Sequence, residues 1–211
     1  AGTPLRVLDV ACGGGDVAVG LWRKSVAVGT PIVMDGCDIS PVAIARAREL
    51  ASRRRANVDF FERDVLRQPL PREYDVVVTS LFLHHLSQAD AVRLLRDMAD
   101  SARLSVLVVD QLRSRSNYWL SVAATRLVTR SRVARVDGPL SVEGAFTVDE
   151  TQALAAAAQL DDVVIRKLPP FGFGFVLSVR GNGDQLSHAG ATADANFKSR
   201  RLLKPLVKDE P

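Results

Sequence analysis

The sequence predicts an α/β domain of the doubly wound kind, a mostly parallel sheet with helices on both faces, and three observations carry that expectation. Apolar runs alternate with helix-periodic segments from Leu5 to Asp110, as chained βαβ units require. Tyr74 to Ser80 holds an unbroken Val76-Val77-Val78 run, the pattern of a strand covered on both faces. The first apolar run ends in Gly13-Gly14-Gly15 and passes into a helix-compatible stretch. Such a turn lets a ligand approach the backbone at a helix N-terminus.

Taken in order, Leu5 to Val10 is the first strand, and Val17 to Val28, with Val17, Leu21 and Trp22 on one side, is the helix laid against it. Pro31 to Asp38 is the second strand. Ser40-Pro41 then reads as an N-cap followed by proline at the first helical position, which suits proline because its missing N–H costs nothing there. In the helix that follows, Ala43, Ala47, Leu50 and Ala51 form the apolar stripe, and Arg46, Arg48, Arg53 and Arg54 take the wet side. Val58 to Phe61 is the third strand and Tyr74 to Ser80 the fourth. Ser87 with Asp90 starts a helix whose stripe is Ala91, Leu94, Leu95, Met98 and Ala99, and Leu104 to Asp110 is the fifth strand.

The alternation then breaks. Residues 112–146 read as an insertion whose basic, partly helical run, Leu112 to Val136, is ended by Gly138-Pro139, and Thr147 with Glu150 makes a capping box before the helix Leu154 to Leu160. Val163 to Leu168 and Phe175 to Val179 are strand-like and joined by only Pro169 to Gly174. So short a link favours a hairpin, hence an antiparallel strand at the end of the sheet. Residues 1–181 are expected to form one domain and residues 182–211, polar and patternless, a flexible tail.

Composition narrows the class. At 211 residues, 47% hydrophobic and 25% charged, the chain can bury one sizeable core. No run approaches the roughly 18 to 20 apolar residues of a membrane span, so a soluble, cytoplasmic protein is expected. Cys12 and Cys37 fall at the ends of buried strands, read as small packing residues with no metal site. Net charge is +4, yet Gln111 to Val136 holds six arginines (Arg113, Arg115, Arg126, Arg130, Arg132, Arg135) and no acid. That cluster suits a solvated helical face, RNA phosphates, an acidic membrane surface or an anionic small molecule. Ala1 opens the chain and a strand begins almost at once, so a preceding segment is expected, one that contributes to an acceptor pocket.

Three acids and the glycine turn outline a cofactor slot. Asp38, 23 positions beyond Gly15, ends the second strand, where a carboxylate accepts from ribose hydroxyls. Asp64, at the end of the third, is placed to accept from an adenine amino group. Either acid serves equally as a helix or loop cap. Asp9 lies inside an apolar strand, where a carboxylate is costly without a partner, and a ligand ammonium group is one candidate. Gly13, Gly15 and Ala18 also satisfy the dinucleotide fingerprint, which leaves NAD open. His84 and His85 are the histidines nearest the sheet's carboxyl edge and able to act as a base near neutrality, with loop packing the alternative.

The stretches Leu8-Asp9-Val10-Ala11-Cys12-Gly13-Gly14-Gly15-Asp16, Cys37-Asp38-Ile39-Ser40, Arg63-Asp64-Val65 and Tyr74-Asp75-Val76-Val77 resemble the class I S-adenosylmethionine-dependent methyltransferases. The Gly-Asp after the first motif and Leu-Phe-Leu-His-His-Leu after the fourth strand are most similar to the ubiquinone/menaquinone-biosynthesis type and related small-molecule enzymes. The resemblance implies a seven-stranded Rossmann-like sheet. It further implies that Asp9 and the backbone from Ala11 through Cys12 and Gly13 to Gly15 hold the methionine part of S-adenosyl-L-methionine. Asp38 would then hold the ribose, Ile39 and Val65 the adenine faces and Asp64 its amino group, while Ser80 and Leu81 line the methionine side. Ala11 stands where the family motif has its first glycine, and a φ below zero is expected there.

The resulting expectation is methyl transfer to a small aromatic, quinone or polyketide-like acceptor, at oxygen before carbon. In the family, segments after the fifth strand often cover the acceptor site, so the insertion is expected to do so here, with Tyr118, Trp119, Phe146, Phe171 and Phe173 as pocket candidates. Nucleic acid is not the expected substrate, because Thr79-Ser80-Leu81-Phe82 replaces the D/N-P-P-aromatic motif of base- and amide-methylating relatives. The alternatives are an NAD-dependent oxidoreductase and a non-catalytic, RNA-associated cofactor-binding module. Nothing in the sequence speaks to oligomeric state.

Overall fold

A computed structural model describes residues 3–128, 132–160, 163–168 and 172–178. The strands are β1 (Arg6–Val10), β2 (Val33–Asp38), β3 (Val58–Glu62), β4 (Tyr74–Ser80), β5 (Ala102–Gln111), β6 (Val163–Leu168) and β7 (Gly172–Ser178). The helices are α1 (Asp16–Ala27), α2 (Pro41–Arg54), α3 (Gln88–Ser101), α4 (Arg115–Val128), α5 (Arg132–Gly144) and α6 (Val148–Ala157), with one 3₁₀ turn at Leu83–His85. The chain has an α/β Rossmann-like fold whose strands run in the order β3-β2-β1-β4-β5-β7-β6. β1 to β5 are mutually parallel and β7 runs antiparallel to both β5 and β6.

Side-chain alternation divides the core into two layers. Val7, Met34, Phe60 and Val78 pack with Ala18, Ile44 and Ala47 of α1 and α2, while Leu8, Val10, Val77 and Val106 pack with Leu94, Leu95 and Met98 of α3. Period two in a strand puts neighbours on opposite faces, so Asp9 shares the face of Val7 and lies under the first turn of α1. The register aligns the strands' carboxyl ends, Val10 opposite both Cys37 and Thr79. Between β1 and β4 the strand order reverses, which opens the crevice where such sheets bind ligands.

The capping expectations hold at three helices: Ser40 accepts from Ala43 N–H, Ser87 from Asp90 N–H, and Thr147 with Glu150 completes a reciprocal capping box. Gly138-Pro139 does not end the insertion as its composition suggested. α5 runs through both residues. Gly138 is there for room, since a Cβ on it would lie 2.7 Å from Thr125 Cγ2 and 3.0 Å from Ser121 Oγ of α4. The last strand begins at Gly172 rather than Phe175. The tail at 182–211 lies outside the described residues, as does Phe171 and the side chain of Phe173.

Candidate functional site

β1 ends in a sharp turn, three of whose donors are spent locally. Cys12 N–H donates to Cys37 O (2.9 Å), Gly15 N–H to Cys12 O (2.9 Å) and Gly13 N–H to Asp38 Oδ2 (2.9 Å). The N–H groups of Cys12, Gly13 and Gly15 are therefore not open to a phosphate. Its glycines do different things. Gly15, at φ +80°, has no room for a Cβ, which would lie 2.8 Å from Ala47 Cβ and Phe60 Cζ. Gly13, at φ +53°, faces open space, with no atom within 4 Å of where its Cβ would be. Ala11 corrects an expectation: its φ is +55°, left-handed. A single alanine tolerates this at roughly 1 kcal/mol or a little more, and the Cys12–Cys37 bond just beyond it pins the chain in place.

Asp9 is fully buried and neither carboxylate oxygen has a hydrogen-bond partner. Burial pushes its pKa up to about 7; the Ala18 amide pulls the other way and Asp38 adds to the rise. An orphaned acid beside a cofactor turn fits a cationic partner such as an ammonium group. Asp38 accepts from Ser40 N–H at Oδ1 and Gly13 N–H at Oδ2, both at 2.9 Å, so it ties β2 to the turn while keeping lone pairs for a ligand. Asp64 accepts from Leu66 N–H (3.0 Å) and sits 3.4 Å from Arg67 Nε. Both acids thus carry out the capping role as well.

A cleft of about 380 Å³ opens along this edge, lined on one side by Ala11, Asp38, Ile39, Asp64 and Val65, and on the other by Leu81, Phe82, His85 and Leu86. Ile39 is 64% exposed, an apolar face presented to the cleft. Leu81 holds φ at +52°, with its N–H donated to Val109 O, strain of the kind that gathers at functional turns. Asp9, Cys12, Gly13, Gly15 and Ser80 belong to the adjoining segments and do not line the cleft itself. Burial raises both thiols, Cys37 to about 12, which removes them as nucleophiles near neutral pH. Among the described residues there is no metal-ligating cluster.

The two histidines part company. His85 is exposed and lines the cleft, whereas His84 is buried, its Nδ1 2.6 Å from Asp110 Oδ1. Asp110, 2% exposed, also accepts from the backbone N–H of His84 (3.0 Å) and of Gln111 (2.7 Å). The two imidazole rings lie 4.0 Å apart. Asp110 went unnoticed in the sequence, although an acid closing a strand was the signal that singled out Asp38 and Asp64. Arg63, Leu66, Phe82 and Leu86 also line the cleft, and none of them was given a role from the sequence. The pocket candidates on the insertion do not: Trp119 points to solvent at 68% exposure and Phe146 is buried in the core.

The comparisons agree with this geometry. Residues 7–103 match the family described as a methyltransferase domain. The demethylmenaquinone methyltransferase of Thermus thermophilus is 36% identical over 107 residues, 49% of this chain and 47% of that protein. The human mitochondrial citrate synthase-lysine N-methyltransferase is 46% identical over 50 residues, 24% of this chain and 20% of that one. The chain therefore spans less than half the length of these curated relatives. Among solved structures, magnesium protoporphyrin IX methyltransferase from Synechocystis PCC 6803 with bound SAH has a TM-score of 0.58 at 15% identity, over 83% of this chain and 74% of that one. The plantazolicin methyltransferase in complex with a triazolic desmethylPZN analog and SAH has a TM-score of 0.62 at 15% identity, over 84% of this chain and 78% of that one. Residues 7–103, a little under half of the chain, thus match a methyltransferase domain, and the fold is one shared with methyltransferases of known structure.

Proposed function

We propose that the cleft binds S-adenosyl-L-methionine and directs its methyl group to a small aromatic, quinone or polyketide-like acceptor, at oxygen in preference to carbon. The observation that carries this reading is Asp9, a buried acid with no partner of its own. It would take the ammonium of the methionine part. The backbone from Ala11 through Cys12 and Gly13 to Gly15 packs beside that part, with the open space at Gly13, while Ser80 and Leu81 close its other side. Asp38 accepts from the ribose, Ile39 and Val65 flank the adenine and Asp64 takes its amino group. When bound, the cofactor supplies a methyl group already activated by positive sulfur, so alignment is the main task left to the protein.

His85, on the cleft, is the candidate base, taking the acceptor's hydroxyl proton on a ring nitrogen. His84 stands behind it, its Nδ1 held by Asp110. His84 is therefore a positioning residue in this reading. The whole of residues 1–181 is read as the methyltransferase domain, seven-stranded with an antiparallel last strand, and residues 112–146 as its acceptor-covering insertion. The dinucleotide alternative is disfavoured by the turn itself, whose N–H groups at Cys12, Gly13 and Gly15 are already engaged.

A screen with methyl-labelled cofactor tests the acceptor class. Label is expected on the oxygen of a phenol or quinol, and His85→Gln is expected to cut turnover by about 10² or more, the usual worth of a positioned base, with S-adenosylhomocysteine affinity unchanged. Label on protein lysine instead would overturn the acceptor assignment. Full turnover in His85→Gln would remove the base.

A further inference from the structure

We propose that the outward face of α4 docks on an anionic lipid surface, with Trp119 and Leu120 entering the interface and Arg115 and Arg126 facing the headgroup phosphates. Arg115, Ser116, Trp119, Leu120, Ala123 and Arg126 are all exposed, and at 100° per residue they form one face of the helix. The opposite face is occupied. Asn117 is buried with its amide donating to Leu112 O (2.8 Å), and Gly138 of α5 is packed against Ser121 and Thr125.

Two features make the outward face a lipid-facing one. A tryptophan 68% exposed beside a leucine 39% exposed is an unusual pairing for open solvent, and Tyr118 braces the indole edge-on at 5.5 Å. Indoles favour the headgroup level of a bilayer, and amphipathic helices with basic flanks bind anionic lipid there. The charge matches as well, since residues 111–136 carry six arginines and no acid. A second copy of the chain docked through this same face would bring arginine against arginine. A nucleic acid would find one exposed indole next to an aliphatic side chain, a poor platform for successive bases.

α5 covers the side of α4 that is turned away from this face. α5 ends at Gly144, where a Cβ would lie 3.2 Å from the carbonyl oxygen of His84, so the helix pair rests on the turn that presents His85. Docking stands or falls independently of methyl transfer.

The test uses the full chain with Trp22→Phe, which leaves Trp119 as its one tryptophan, and sucrose-loaded vesicles of phosphatidylcholine with or without phosphatidylglycerol. The expected result is co-sedimentation with the phosphatidylglycerol vesicles alone, together with a blue shift of the Trp119 emission. The double variant Trp119→Ser/Leu120→Ser, unchanged in charge, is expected to lower vesicle affinity by about tenfold or more, and Arg115→Gln/Arg126→Gln similarly. Both changes are on exposed positions, and an unchanged melting curve shows that the fold is intact. Absence of vesicle binding overturns the proposal. So does binding that the serine variant leaves intact, which assigns it to basic residues elsewhere. RNA retention or self-association that the serine variant abolishes, in a chain indifferent to vesicles, replaces lipid with that partner.

Discussion

Asp9 holds a carboxylic acid at a point in the sheet shut off from water, with the Ala18 amide near it but no hydrogen bond made to either oxygen. Such a group destabilises the protein that carries it unless something arrives to use it. Replacing it by asparagine is therefore expected to separate stability from binding. Asp9→Asn should raise the melting temperature of the cofactor-free protein above pH 7 while weakening S-adenosylhomocysteine by about 10²-fold, the loss of one charged contact. Thermal melts and calorimetry on the same variant check both halves; a variant that is less stable and binds normally would assign Asp9 to the core alone. Gly13 and Ala11 teach a complementary point. The left-handed φ at both is a backbone property, yet only at Gly13 does the missing side chain leave open space, so Gly13→Ala is the substitution that puts a methyl group into the site. Asp38 shows how one residue satisfies two readings at once, since a cap for Ser40 and a ribose acceptor use different lone pairs.

At the level of elements, the sequence read the order of β1 to β5 and the caps of α2, α3 and α6 because each depends on local chemistry: alternation, a hydroxyl three residues from an N–H, a proline at the first helical position. It misread the insertion because the reason for Gly138 lies on another helix. Nothing within residues 136–140 announces that Thr125 will be 2.7 Å from a Cβ there. Gly138→Ala is accordingly expected to force α4 from α5 and cost about 1 to 3 kcal/mol, the usual penalty of overpacking, read as a lower denaturation midpoint. A neutral or stabilising effect would mean that the helix pair is loosely packed. The His84–Asp110 pair was illegible for a similar reason, its partners being 26 positions apart in sequence. Within the site, Asp38 and Asp64 were legible as strand ends and Asp9 as an acid inside an apolar strand, whereas Arg63, Phe82 and Leu86, though they lie in quoted motifs, enter the cleft through turn geometry that the motifs do not spell out.

For the molecule as a whole, the buried acid sets a pH dependence. Its folded pKa, about 7, lies above the ordinary carboxylate value, so the folded state holds a proton that the unfolded state releases. That stabilisation is fully present below about pH 4, falls as pH rises and is gone above about 7, a span of about 4 kcal/mol at most. Other carboxylates act in the opposite sense, as Glu150 does, lowered by the Thr147 backbone N–H. The difference between wild type and Asp9→Asn isolates the term: it should widen from pH 4 to pH 7 and then level off, as measured by denaturant titration at each pH. A difference that does not vary with pH would mean that Asp9 ionises freely in the fold.

Binding an ammonium group should drive the same proton off. Calorimetric titration of the chain with S-adenosylhomocysteine near pH 6, in two buffers of different ionisation enthalpy, measures affinity and proton release together. One-site binding is expected, with an apparent enthalpy that differs between the buffers by the release of a fraction of a proton, loss of that difference in Asp9→Asn, and no heat from NAD. Binding of NAD in place of S-adenosylhomocysteine, or wild-type binding of S-adenosylhomocysteine by Asp9→Asn with the same proton release, would contradict it.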